Sequence, residues 1–276
     1  MKVSWILCLV PLLAAPAFGQ NGWNADAQTC QDQSGDPAID ACTRAIASGQ
    51  LSQTNLAETY MNRGVEWRHK GEDDRAMADY DQSIQLDPNN AMTYNDRGNV
   101  WVDKGDYGRA IAEYDQAIRL NPNYAKAYSN RGVANYYSRN WAASAADFAR
   151  AHDLNSKDVY AMLWQALAGM RQPDSGWAAR LEAQSQGLSQ DWPWPLVRFY
   201  TGQIDADQVL AAVGGTDSGQ QQDRICEAGF YLGEWKLVHG QAREAAEYLE
   251  KAQLNCPHSY SEYETAVREL KNLGSQ

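Results

Sequence analysis

Aromatic, small and apolar positions recur along this chain at intervals of 34 residues: Tyr60, Tyr94 and Tyr128, then Arg63, Arg97 and Arg131, then Gly64, Gly98 and Gly132. Ala76, Ala110 and Ser144 come next, followed by Tyr80, Tyr114 and Phe148, and by Ser83, Ala117 and Ala151. Pro88 and Pro122 close two units, and Ser156 stands at the third proline position. Within a unit the apolar and small residues keep helical spacing on either side of a glycine, Gly71 or Gly105, which predicts two helices joined by a tight turn. A period of this length with small residues where helices cross is a helix–turn–helix array. Such units bury their faces on neighbours and present an extended concave surface. The pattern therefore points to binding a polypeptide before it points to catalysis, and to an all-α fold.

The units fall at residues 57–90, 91–124 and 125–158, the last with Arg139 in place of the turn glycine. Upstream, residues 21–35 are polar and read as irregular. Asp36-Pro37 reads as an N-cap and first-turn proline opening a lone helix to about residue 48, the second half of an incomplete repeat that covers the end of the array. Downstream, an amphipathic helix is expected over 159–171 and a second, capped by Asp174, to about residue 187. The prolines of Trp192-Pro193-Trp194-Pro195 break any helix there, and short helices are expected at 195–200 and 207–213. The segment 214–219 reads as a flexible joint. Cys226, Gly233, Gly240, Ala245, Leu249, Ala252 and Pro257 restore the repeat register, and residues 260–273 predict a closing helix. The expected organisation is a signal segment at 1–19, a polar segment and capping helix at 20–56, repeats at 57–158, an irregular helical middle at 159–219, and a final repeat with its cap at 220–276.

Lys2, the apolar run 3–13 and Ala17-Phe18-Gly19 have the form of a cleaved export signal, with cleavage near Gly19 and Gln20. The run is short of the roughly 20 apolar residues of a membrane-spanning helix, and Cys8 inside it is a poor lipidation site. The expected location is periplasmic or secreted, without stable membrane insertion. Loss of Cys8 with the signal leaves Cys30, Cys42, Cys226 and Cys256, an even count that suggests two disulfides in an oxidising compartment. Cys30 with Cys42 is the local pairing. Cys226 lies 14 residues before Gly240 and Cys256 lies 16 after it, so both sit at one end of a predicted antiparallel hairpin. Four cysteines still allow three pairings. The charge of −11 argues against nucleic acid, whose phosphates need Lys and Arg.

The repeat units resemble tetratricopeptide repeats: Gly64, Trp67, Ala76, Tyr80 and Pro88 stand where that family places small, aromatic and proline residues, while Arg63, Arg97 and Arg131 replace its usual leucine. The resemblance implies antiparallel helix pairs stacked into a superhelix. Trp194 to Gly202, Phe230 to Trp235 and Asn130 to Tyr137 further resemble segments of the tetratricopeptide lipoproteins of the bacterial envelope. That implies a non-catalytic adaptor for envelope proteins or peptides, one that recruits peptidoglycan hydrolases or a processing protease and allows a homodimer. Carried over from the repeat family, the concave wall comprises Met61, Val65, Arg68 and His69, then Asn95, Asn99, Val102 and Asp103, then Lys126, Ser129, Val133, Tyr136 and Tyr137. The partner-binding set is Arg68, Asn95, Asn99, Asp103, Lys126, Ser129, Tyr136 and Tyr137: amides for a peptide backbone, tyrosines for stacking, and charges for pairing. Tyr136 and Tyr137 have an alternative, packing on Trp164 and Trp141.

Chemistry is sparse. His69, His152, His239 and His258 form no metalloprotease helix, and no nucleophile elbow or phosphate loop occurs, so neither a cofactor nor a metal site is expected. Asp73, Asp74, Asp79 and Asp81 read as acids at helix starts that complement the helix dipole. Two other function classes remain: a cell-wall glycan-binding module using exposed Trp192 and Trp194, for which core packing is the competing role, and an uncharacterised hydrolase.

Overall fold

The computed structural model describes residues 22–173, 175–188, 190–214, 218–257 and 260–274. The signal segment, Asp174, His258 and the centre of the 214–219 joint lie outside the described residues. All described regular structure is helical, in two compact units that divide between Pro88 and Asn89.

The first unit holds α1 (Gly22–Asp32), α2 (Asp36–Ala47), α3 (Gln53–His69) and α4 (Asp73–Leu86). The pairing of α3 with α4 follows from three sequence positions. A Cβ at Gly64 would lie 2.8 Å from the buried ring of Tyr80, so only glycine lets the two helices approach this closely. Gly71 turns the chain at φ 74°, a left-handed conformation that suits glycine. Arg63 then reaches across, its Nε and Nη2 donating to the two oxygens of buried Asp79 at 2.8 and 2.7 Å. Asp79 is therefore the anchor of a bidentate ion pair in the middle of α4, which corrects its reading as a helix-start acid.

Residues 21–35 are not irregular from Gly22 on: α1 packs on α2 as a complete hairpin, and Cys30 is bonded to Cys42 across it, with Cα atoms 4.8 Å apart. Asp36 is the first residue of α2, preceded by Gly35 at φ 71°, rather than its N-cap.

The second unit opens with the same hairpin twice: α5 (Ala91–Asp103) with α6 (Tyr107–Leu120), and α7 (Ala125–Tyr137) with α8 (Trp141–Leu154). Gly98 faces Tyr114, Gly132 faces Phe148, and Arg97 and Arg131 pair with Glu113 and Asp147. Each of these acids, like Asp79, stands 16 residues after its arginine, which explains the arginines that replace leucine. The third turn keeps its shape without glycine because Arg139 itself takes φ 59°, a conformation that costs a non-glycine residue roughly 1–2 kcal/mol.

Next come α9 (Val159–Met170), α10 (Trp177–Gln184), α11 (Trp194–Tyr200) and α12 (Ala206–Ala212), and then α13 (Ser218–Val238), α14 (Ala242–Asn255) and α15 (Ser261–Gly274). The expected joint is shorter than 214–219, since Ser218 and Gly219 begin α13. Residues 161–169 of α9 are all buried, with Gln165 the polar residue among them, so this helix is buried on every face and not amphipathic. Its Trp164 lies against Tyr136, Phe148 and Phe230, with ring centroids 5.2–5.6 Å apart, at the centre of the unit's core. Cys226 and Cys256 bridge α13 and α14 at the open end of their hairpin, with Cα atoms 4.7 Å apart. Closing a loop of this size stabilises by about 3–4 kcal/mol on the chain-entropy account.

Candidate functional site

The polar face of the second unit is set by α5 and α7. One amide row ties them together: Asn130 Nδ2 donates to Asn95 Oδ1 at 2.9 Å and to Asn99 Oδ1 at 3.0 Å, and the Tyr114 hydroxyl donates to Asn99 Oδ1 at 2.8 Å. Asn95, fully buried, also donates to Asp96. It holds Asn130 from behind, while Asn99, Asn130 and Ser129 are half-exposed and Asp103 and Lys126 are exposed. Asn95 and Asn99 thus lie on one face, with Asn95 as its buried support. Asn130 belongs to that face but escaped the sequence reading, where it served only as the opening of an Asn-Arg-Gly motif. Arg68 belongs to the first unit, half-exposed at the end of α3.

Tyr136 and Tyr137 are not on an open wall. Both are buried: Trp164 of α9 and Glu234 of α13 lie against Tyr136, while Thr265 and Arg268 of α15, with Tyr107 of α6, lie against Tyr137. Tyr136 packs edge-on against Trp141 and Trp164, the alternative held open for it. Its hydroxyl donates to Glu234 Oε2 at 2.6 Å and accepts from Arg171 Nε at 2.9 Å. Arg171 Nη2 also reaches Glu234 Oε2 at 2.6 Å and lies 3.7 Å from Glu269. Burial pushes the Glu234 carboxyl up and Arg171 pulls it down; the net shift is upward. Tyr137 donates to the backbone oxygen of Ser261 at 3.1 Å.

The tryptophan segment is likewise closed. Trp192 and Trp194 are half-buried against the core, and Trp192 Nε1 donates to Glu227 Oε2 at 2.7 Å. The large hydrophobic side chains exposed among the described residues are Met92, Tyr160 and Leu254, and Trp192 and Trp194 take the core-packing role weighed for them. Glu227 also accepts from the Tyr160 hydroxyl at 3.0 Å and faces Glu262 and Asp223. Burial pushes its carboxyl from 4.5 to about 7, against those two donors. A folded pKa above the unfolded one gives stability that is full below pH 4.5 and lost as pH rises through about 7. Glu227→Gln is expected to remove a pH-dependent loss on the order of 3 kcal/mol across that interval. Urea titrations of both proteins at stepped pH check it; parallel curves would refute the assignment.

A polar cleft of about 290 Å³ lies in the first unit, lined by Gln28 and Gln31 of α1 and Asn55, Glu58 and Asn62 of α3, among others. The sequence reading missed it by treating α1 as irregular, although Gln28, Asn62 and Asn130 stand at multiples of 34 residues. Among the described residues no group of three His, Cys, Asp or Glu is placed to hold a metal ion, and no helix is long and apolar enough to cross a membrane.

Residues 57–90 match a family described as tetratricopeptide repeat, and residues 98–137 one described as TPR repeat. Among solved structures, a tetratricopeptide repeat protein from Parabacteroides merdae superposes with a TM-score of 0.58 at 16% identity, over 92% of this chain and 99% of that one. MamA from Desulfovibrio magneticus superposes with a TM-score of 0.52 at 18% identity, over 62% of this chain and 96% of that one. At these identities the likeness concerns the fold.

Proposed function

The chain is a tetratricopeptide repeat protein, and we propose that it serves as a non-catalytic adaptor, exported to the cell envelope, that holds an extended polypeptide of a partner protein. The observation that carries this reading is the amide row of α5 and α7. Asn99 and Asn130 hydrogen-bond each other while half-exposed, so they present paired donors and acceptors that a peptide backbone, unlike a buried side chain, is able to exchange into. Asn95 fixes the row from beneath, and Asp103 and Lys126 add one charge of each sign. The export signal and the resemblance to envelope lipoproteins support an envelope location, partners such as cell-wall hydrolases or a processing protease, and a homodimer.

The test is affinity capture from an exported fraction with residues 20–276 as bait, in the unsubstituted form and as Asn99→Ala/Asn130→Ala. The double variant is expected to keep its helical circular dichroism and to bind the captured protein about tenfold or more weakly, a difference of ~1.4 kcal/mol or above. Equal retention of the same proteins by both baits would remove the amide row from the site, and retention of none by either would sink the adaptor reading.

A further inference from the structure

The turn between α7 and α8 and the facing side of α15 enclose a cavity of about 110 Å³, lined by Tyr137, Arg139, Trp141, Arg268, Glu269 and Asn272 among others. We infer that this cavity is a carboxylate subsite, in which Arg268 and Arg139 hold a single aspartate, glutamate or C-terminal carboxylate of the polypeptide partner. The inference rests on the adaptor reading and names the residue chemistry that the partner supplies.

Arg268 forms no ion pair with a described carboxylate, although the charge of Glu269 acts on it. Its guanidinium lies against the rings of Tyr107 and Tyr137, each 4.6 Å from the ring centre, and donates to the Tyr107 hydroxyl. Its Nε is buried and has no hydrogen-bond partner among the described residues. Burial draws its pKa down. Glu269, the acid whose charge acts on Arg268, lies within ion-pair distance of Arg171 and accepts from Asn272.

Arg139 is an independent observation. In the two preceding repeats the same position is glycine, Gly71 and Gly105, at φ 74°. Arginine at φ 59° is the poorer residue for the turn, yet it brings an exposed guanidinium to the rim of the cavity that Arg268 lines. Strain of this kind concentrates at functional positions. Two arginines that form no ion pair with a described residue thus line one small cavity in a chain of net charge −11. A planar carboxylate accepts two parallel N–H donors from a guanidinium. The volume admits one side chain and no helix.

The experiment follows Arg Nε–H resonances of nitrogen-15-labelled protein during titration with capped glycine peptides carrying one central Glu, the matching Gln peptides, N-acetylglutamate and inorganic phosphate. The Glu peptide is expected to shift the Arg268 Nε signal and to bind about tenfold or more tightly than the Gln peptide. Arg139→Gly and Arg268→Met should each abolish that preference. Arg139→Gly restores the residue of the other repeats, so it keeps the fold even where Arg268→Met does not. Glu and Gln peptides binding alike, a preference that survives Arg139→Gly, or phosphate binding more tightly than any carboxylate would each overturn the subsite. If the Gln peptide also binds and Asn99→Ala/Asn130→Ala abolishes it, the adaptor reading stands while the subsite falls. N-acetylglutamate shifting Arg268 while no peptide or protein binds gives the reverse.

Discussion

Gly98→Ala is expected to lower the unfolding temperature of the chain by several degrees, more than any ordinary surface substitution. The new Cβ would stand 2.6 Å from Tyr114 Cε1, where real Cβ atoms do not go. The ring has little room to retreat: Tyr114 is 1% exposed, and its hydroxyl is bonded to Asn99 at 2.8 Å. Overpacking of this kind typically costs ~1–3 kcal/mol and occasionally more, against about 1 kcal/mol gained by alanine over glycine within a helix. The upper end of that range applies to a contact this close, so the net loss is about 2 kcal/mol, or roughly 4–8 °C in a chain of this size. Gly108→Ala is the control. There a Cβ meets nothing nearer than Asp106 Oδ1 at 3.7 Å, and the same exchange should hold or raise stability. Thermal circular dichroism of the two variants decides it. A Gly98→Ala protein as stable as the Gly108→Ala one would mean that the helices slide apart freely and that the glycines do not set their spacing.

The same contact explains what was legible in the sequence. A repeat is visible when the residues at its helix crossing are of a recognisable kind, and Gly64, Gly98 and Gly132 facing Tyr80, Tyr114 and Phe148 are such residues. The α1–α2 hairpin lies in the same register but does not show it. Cys30 stands 34 residues before Gly64, and Cys42 stands 34 before Ala76. The disulfide occupies the crossing that a small-residue contact makes elsewhere, so a search for glycine and alanine passes over it. The register that would have found α1 is carried by Gln28 on its polar face.

The partner-binding set divides along a similar physical line. Periodicity places a residue on a face of its helix, and Asn95 and Asn99 meet the same partner, Asn130, on the face that their spacing assigns. Periodicity does not report what later packs on that face. Tyr136 and Tyr137 have the spacing of wall residues, yet α9 and α13 lie over the first and α15 over the second, and contacts between residues nearly 100 or more apart, such as Tyr136 with Glu234 and Tyr137 with Thr265, leave no local signature. The arginine–acid pairs were readable at a constant separation of 16 residues, but each acid taken singly resembles any acid on a helix.

Arg171→Met should be the most damaging exchange of a charged residue in the second unit. Glu234 is fully buried and its Oε1 has no hydrogen-bond partner. Its charge is answered by Arg171 Nη2 at 2.6 Å and by the Tyr136 hydroxyl at the same distance. Methionine keeps much of the stem that covers Tyr136 and Trp141 but leaves the carboxylate with one neutral donor. Breaking a buried pair from one side costs ~3–5 kcal/mol, because the remaining charge is neither solvated nor paired. The deficit carries a pH signature. The Glu234 carboxyl already sits above 4.5 when folded, with Arg171 drawing it down, so removing Arg171 raises it further. A raised folded pKa makes the folded state bind the proton first. Stability of the variant should therefore recover as pH falls toward 4.5 and decline as pH rises through the folded value. Arg171→Met/Glu234→Gln removes both charges, so it should regain most of the lost stability and lose most of the pH dependence, since the desolvation cost disappears with the pair. Urea unfolding at about pH 5 and about pH 8 brackets the range in which a raised carboxyl titrates. A single variant whose deficit is the same at both, or a double variant no more stable than the single, would show that Arg171 acts through its contacts with the rings and not through the buried charge.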